Sequence, residues 1–192
     1  MNKLKEMVEK SSPVHERKVE IRSYVTEDNQ LVVEGWLKDE RLEFGYYWDG
    51  RERPPGVVHW MGVRLLIGGW PITIQEAEVE MPGIPHEICQ ETMDSVKKII
   101  GLPIVSGFSE EVRRCLGGTE SCTHLMYLII TMGPAALHGY LAQQSRRRQP
   151  VPKSMDDIPW LSYVINSCQL WREGGPLLQM VQETLERLNR PE

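Results

Sequence analysis

Cys122 and His124 are separated by one residue in the segment GGTESCTHL, at the start of the longest apolar run of the chain. Thiolate and imidazole groups are both zinc ligands, and a thiol beside a histidine base is also a nucleophile. Residues two apart on a regular helix differ by about 200° around its axis, so these side chains would diverge inside one. They converge only if Cys122 lies at the N-cap, where free N–H groups and the helix dipole favour a thiolate.

This pair leaves three interpretations of Cys122 open. The residue is a metal ligand, a reactive thiol, or a small side chain packed in the core, since free cysteine is among the most often buried residues. His124 is correspondingly a ligand, a general base, or an imidazole bonded to a backbone carbonyl. The matching function classes are a metal- or cluster-binding accessory protein, a thiol-dependent enzyme with Cys122 as catalytic nucleophile, and a structural or small-ligand-binding module with core cysteines.

Further nitrogen and sulfur donors lie elsewhere in the chain, at His59, Cys89 and Cys168. Zinc prefers four such donors in a tetrahedral array, so Cys122, His124 and Cys168 together with Cys89 or His59 form a reasonable set. The expected cofactor is zinc or an iron-based centre. The sequence contains no CxxC pair, phosphate-binding glycine loop, dinucleotide fingerprint, nucleophile elbow or HExxH motif.

Acidic residues lie in the predicted second strand, and a cluster of aromatic residues lies in the loop that follows it. Asp39 is interpreted as an ion pair with Arg41 that stabilises a turn, and Glu34 as a solvated residue of an alternating strand. The aromatic segment 44–48 is interpreted as a lid for the sheet, a ligand-pocket wall or a dimer contact.

Charge and composition restrict the partners and the location. Lys and Arg total 22 against 27 Asp and Glu, which gives a net charge of −5 at pH 7. This balance argues against general nucleic-acid binding, which depends on clustered basic residues. The N-terminus lacks a signal-peptide core, and the run Leu125–Ile130 is too short to span a bilayer. We therefore expect a cytoplasmic protein without a membrane partner, whose cysteines are free thiols or metal ligands rather than disulfides.

The hydrophobic period changes along the chain and defines the elements that position these side chains. A period of two predicts a four-stranded antiparallel sheet over about residues 18–80, and a period of 3.6 then predicts helices packed on one face. The fold class is therefore α+β. The longest helix is predicted at about 120–147, buried because it is apolar around most of its circumference, and kinked near Pro134.

Three segments are expected. Residues 1–16 form a polar N-terminal segment, 17–147 a single α+β core domain, and 148–192 a C-terminal extension that packs on the core or on a partner subunit. Residues 160–171 are ambiguous between strand and helix. The amphipathic C-terminal helix and the aromatic segment 44–48 are both candidate homodimer contacts.

Six segments together resemble the bacterial domain-of-unknown-function family 2889, over about Val19 to Trp171. They are VVEGWLKDER, HWMGVRLLI, MPGIPHEIC, GLPIVSGFSEEVRRCLGG, CTHL and INSCQLW. The family pattern contains GG..GCTHL, an upstream P...C, and a downstream N.C.AW or T.C.AW. The matching positions are Gly117, Gly118, Cys122, Thr123, His124, Leu125, Pro85, Cys89, Asn166, Cys168 and Trp171.

The resemblance implies no established activity, but it selects three of the four cysteines and leaves out Cys115. Two positions depart from the pattern. Ser121 replaces the glycine before Cys122, and Gln169 replaces a residue that is often histidine. The second departure removes one possible metal ligand.

Overall fold

The computed structural model describes residues 2–190. Strands are β1 (His15–Val25), β2 (Leu31–Arg41), β3 (Gly45–Tyr46), β4 (Glu52–Arg53), β5 (Gly56–Gly68) and β6 (Thr73–Gly83). Helices are α1 (Lys3–Glu9), α2 (Phe108–Leu116), α3 (Thr123–Ser145), α4 (Leu161–Val164) and α5 (Pro176–Leu188), with 3₁₀ segments at Glu87–Ile99 and Met155–Asp157.

The main sheet has four antiparallel strands in the order β1-β2-β5-β6, which confirms the α+β prediction. Alternate residues of β2 are buried, as a strand with one face on the core requires. The short hairpin β3-β4 lies within the aromatic loop and forms a separate two-stranded sheet that the sequence pattern did not predict.

Helix α3 packs closely on the core face of this sheet through small residues. A Cβ atom at Gly35 would lie 2.7 Å from the Met132 sulfur, and one at Gly139 would lie 2.2 Å from the Ser23 hydroxyl. These contacts fix the level of the helix along β2. The eight residues from His124 to Met132 on the helix span about 12 Å, and the four from Gly35 to Asp39 on the strand span about 13 Å. Because Met132 lies over Gly35, His124 therefore lies over Asp39.

The burial of α3 is less uniform than its composition suggests. Its buried positions include Leu125, Leu128, Ile129 and Met132, whereas a narrow stripe is exposed. That stripe consists of Thr123, Tyr127, Thr131, Pro134 and His138. Pro134 therefore lies inside the helix on its exposed side, where water can hydrate the carbonyl that loses its N–H partner. The kink stays a prediction.

The length and hydropathy of α3 also meet the condition for a membrane span. By length and composition alone it is long and apolar enough, but this is weak evidence, because core helices of globular domains meet the same condition. Eight of its residues are buried within the structure.

One other segment differs from the predicted secondary structure, and one segment that the sequence left ambiguous is defined by the structure. The 3.6-residue pattern after β6 predicts an α-helix, but Glu87–Ile99 is a 3₁₀ helix. Val96 and Ile99 are buried there because residues three apart lie on one side of a 3₁₀ helix, and Ile88 is 66% exposed. The ambiguous segment 160–171 contains α4 followed by turns, and no strand is described in it.

The described residues divide into two units. The first comprises 2–104 and 108–140 and contains the sheet, α2 and most of α3. The second comprises 105–107 and 141–190 and contains α4 and α5. In α5, Leu178 and Leu185 are buried, whereas Met180 is 59% exposed.

Candidate functional site

Asp39 is the charged residue of the core. It is 2% exposed, and no other polar or charged side chain among residues 2–190 is classed as buried. Asp39 continues the core face of β2, after Leu31, Val33 and Leu37. Because an unpaired buried carboxylate is strongly unfavourable, its partners define the site.

Sheet register places two of those partners beside it. Arg17 of β1 and His59 of β5 are the cross-strand neighbours of Asp39, so the three residues form one row across three strands. Arg17 donates from Nε to Oδ1 at 2.6 Å and from Nη2 to Oδ2 at 2.7 Å. His59 Nδ1 lies 3.0 Å from Oδ2. The contact with the Arg17 guanidinium is the main reason that the pKa of Asp39 lies below the usual value of an aspartate.

His124 reaches the row from the helix above it. Its Nε2 lies 3.8 Å from Oδ2 of Asp39, and its ring is stacked on that of His59 with centroids 4.0 Å apart. Burial, aided by the charges of His59 and Arg17, lowers the pKa of His124, which favours the neutral imidazole. A neutral imidazole has the free lone pair that a metal ion or a proton requires.

Cys122 occupies the N-cap position of α3. The helix begins at Thr123, and the Cys122 carbonyl accepts the backbone N–H of Met126 at 3.1 Å. Its Sγ lies 3.7 Å from Nδ1 of His124. The His124 ring therefore has the thiol near one nitrogen and Asp39 near the other.

The loop before α3 is held by the 3₁₀ segment. Lys98 Nζ donates to the Glu120 carbonyl at 3.2 Å and to its carboxylate at 2.6 Å. The hydroxyls of Ser95 and Ser121 lie 2.5 Å apart, so Ser121 supplies a hydrogen bond that a glycine at this position would lack. Gly118, with φ of 62°, supplies the left-handed turn. These contacts place Cys122 and His124 at the end of the sheet.

Donor atoms of Asp39, His59 and His124 all lie within 4.8 Å of one another. With metal–ligand bonds of about 2.1 Å, two donors that subtend about 90–110° at an ion lie about 3.0–3.4 Å apart. The observed distances from Asp39 Oδ2, 3.0 Å to His59 and 3.8 Å to His124, are close to that range. The group therefore has the donor types and spacing of a three-ligand metal site.

The structure brings together some of the predicted site residues and not others. His59 and His124 share the group, and Cys122 contacts His124. Cys89 is half-buried and outside the group, and Cys168 is exposed in the second unit. Cys168 is thus not a core cysteine, contrary to the structural-module interpretation. Metal binding by any of these residues stays a prediction.

Sequence reasoning missed the role of Asp39 and its partners in β1. The predicted pair with Arg41 is wrong: Arg41 donates to the Pro54 carbonyl, and Arg17 takes the carboxylate. His15, two residues before Arg17, also places Nε2 3.6 Å from Oδ1 of Asp39. A signal was available, because Asp39 and His59 both continue the apolar alternation of their strands.

Comparison with known proteins adds a family and no activity. The profile of the family described as "Protein of unknown function (DUF2889)" matches residues 15–138. That range includes the Asp39, His59 and His124 group together with Cys122 and Arg17. No curated protein and no solved structure matches the chain. The family match covers well over half of the sequence, and the chain belongs to this family of unknown function.

Proposed function

We propose that the protein binds a divalent transition-metal ion through Asp39, His59 and His124, and that it acts as a metal-handling accessory protein. The observation that carries this proposal is the convergence of two imidazoles on one buried carboxylate, from β2, β5 and α3. Two half-buried imidazoles and a buried carboxylate at this spacing suit zinc or ferrous iron.

A single ion is favoured over an iron–sulfur cluster. Clusters are held by several thiolates, whereas the three grouped donors are nitrogen and oxygen atoms. Cys122 faces Nδ1 of His124, and the Asp39 side of that ring is at Nε2. The thiol therefore acts from behind the His124 ligand, where a hydrogen bond would orient the ring.

Metal binding is tested on untagged protein purified without chelator. We expect bound zinc or iron by elemental analysis, and after chelation we expect stoichiometric uptake of Zn²⁺ or Co²⁺ by titration. His124→Ala is expected to weaken this binding by more than about 100-fold, because it removes a ligand rather than a supporting contact.

His138→Ala is the matched control, since His138 lies on the exposed stripe of the same helix. It should bind metal like the unmodified protein. Protein that takes up neither ion, or that binds equally well after His124→Ala, would contradict the proposal.

The Cys122–His124 contact favours thiol-dependent catalysis as a second candidate. A thiol 3.7 Å from a neutral imidazole, with a carboxylate near the opposite nitrogen, is an arrangement of nucleophile, base and orienting group. The expected substrate class is an acyl or thioester compound.

Alkylation by iodoacetamide, followed residue by residue by mass spectrometry, tests this candidate. We expect Cys122 to react faster than Cys115, which is also half-buried but lies in the last turn of α2 rather than at a helix N-terminus. His124→Gln should remove that difference. Equal alkylation rates at the two cysteines in the unmodified protein would contradict the proposal that Cys122 is a catalytic nucleophile.

A further inference from the structure

Oδ2 of Asp39 contacts two kinds of partner, a guanidinium and two imidazoles. It accepts Nη2 of Arg17 at 2.7 Å, and it is also the oxygen that faces His59 and His124. In the proposed metal site, this same oxygen is the carboxylate ligand. A divalent ion and a guanidinium would then lie against one carboxylate, within a few ångströms of each other.

Exposure shows which of these groups is able to move. The Asp39 side chain is 3% exposed and is fixed in the row between Arg17 and His59, whereas the Arg17 side chain is 45% exposed. Arg17 belongs to β1, an edge strand of the sheet, and within residues 2–190 no further strand pairs with β1 on its outer side. Its guanidinium has a path to water, where a charge is inexpensive to solvate, and Asp39 has none.

We propose that Arg17 is the exchangeable counter-ion of Asp39. Its guanidinium balances the buried carboxylate in the metal-free protein and swings toward solvent when a divalent ion binds. This inference rests on the proposed metal function and adds how that site is regulated. The exchange keeps Asp39 paired in both states and lowers the apparent metal affinity, because each ion that binds must displace a bidentate ion pair.

Arg17→Met tests the exchange, since methionine retains an apolar stem and removes the competing charge. Zn²⁺ affinity is measured by chelator competition for the unmodified protein, Arg17→Met and Arg22→Met. Arg22 is the control because it lies on the same strand, is exposed and pairs with Glu20. We expect Kd to fall at least about tenfold in Arg17→Met and to stay unchanged in Arg22→Met.

The thermal shift provides a second readout. Metal-free Arg17→Met leaves Asp39 without its main partner, so we expect a lower Tm, and a larger rise in Tm on Zn²⁺ addition than in the unmodified protein. If Arg17→Met does not fold without metal, Arg17→Lys takes its place. Arg17→Lys retains the positive charge but cannot donate two parallel hydrogen bonds to the carboxylate. It is expected to bind Zn²⁺ more tightly than the unmodified protein, by a smaller factor than Arg17→Met.

The outcomes separate this inference from the metal proposal. If the unmodified protein binds Zn²⁺ and the Arg17 variant that folds binds it equally or more weakly, Arg17 supports the site rather than competing for it, and the exchange is overturned. If neither the unmodified protein nor any variant binds Zn²⁺, the metal function itself fails and the exchange fails with it.

Discussion

Replacing Gly139 by alanine is expected to destabilise the protein by about 2–3 kcal/mol, although the same change stabilises an exposed helix position by about 1 kcal/mol. The added Cβ would lie 2.2 Å from the Ser23 hydroxyl and 2.6 Å from the Ser23 Cβ. Rotation of the hydroxyl relieves only the first contact. The helix must therefore move away from β1, and the packing that holds α3 on the sheet is lost.

Urea unfolding of Gly139→Ala measures this effect, and Ser23→Gly in the same chain should restore most of the lost stability. Gly45→Ala is the control, because no atom of the described residues, apart from its two chain neighbours, lies within 4 Å of a Cβ built there. A Gly139→Ala protein as stable as the unmodified one, or a double variant no more stable than Gly139→Ala, would show that the close approach of α3 to β1 does not limit stability.

Asp39→Asn is expected to reduce the free energy of unfolding by about 1–3 kcal/mol at neutral pH, because the amide oxygen accepts from only one of the two N–H groups of Arg17 and the guanidinium loses its opposite charge. The pKa of Asp39 is lower in the folded protein than in the unfolded chain. Its stabilising contribution is therefore complete above the unfolded value, at about pH 4, and is lost as the pH falls through the folded value.

Urea titrations between neutral and acidic pH, in the presence of chelator, test this dependence. The difference between the unmodified protein and Asp39→Asn should shrink as the pH falls below about 4. Asp94→Asn is the control, since Asp94 forms an exposed pair with Lys97 and should change stability little at any pH. A difference that does not shrink below about pH 4 would contradict this account.

The sheet could be predicted because it carries an alternating pattern, and the long helix because it is a continuous apolar stretch. Alternation in residues 19–25 and 31–37 predicts strands, and the apolar run after His124 predicts a core helix. The 3₁₀ character of Glu87–Ile99 was not accessible, since its apolar spacing suits either kind of helix. The hairpin β3-β4 has only two residues in each strand, too few for a pattern.

The candidate site was only partly predictable, because spacing along the chain does not give sheet register. The pair of Cys122 and His124 could be identified from its spacing. The observed N-cap position of Cys122 is the geometry that the helical angle required for the two side chains to meet. Asp39 was assigned to its sequence neighbour Arg41, although the strand alternation placed it on the core face. The partner on β1 follows only from the pairing of Arg17 with Asp39. The cytoplasmic location and the homodimer stay predictions.

The row of Arg17, Asp39 and His59 beneath His124 also determines when the site is able to exist. The row itself joins the neighbouring strands β1, β2 and β5, whereas His124 lies on α3, far along the chain, so its contacts with Asp39 and His59 close long loops. Such contacts form late in folding, because the entropy of loop closure is lost before they contribute stability. A nascent chain that ends before α3 has no His124, and metal loading would be confined to chains that have already completed the sheet and its helix.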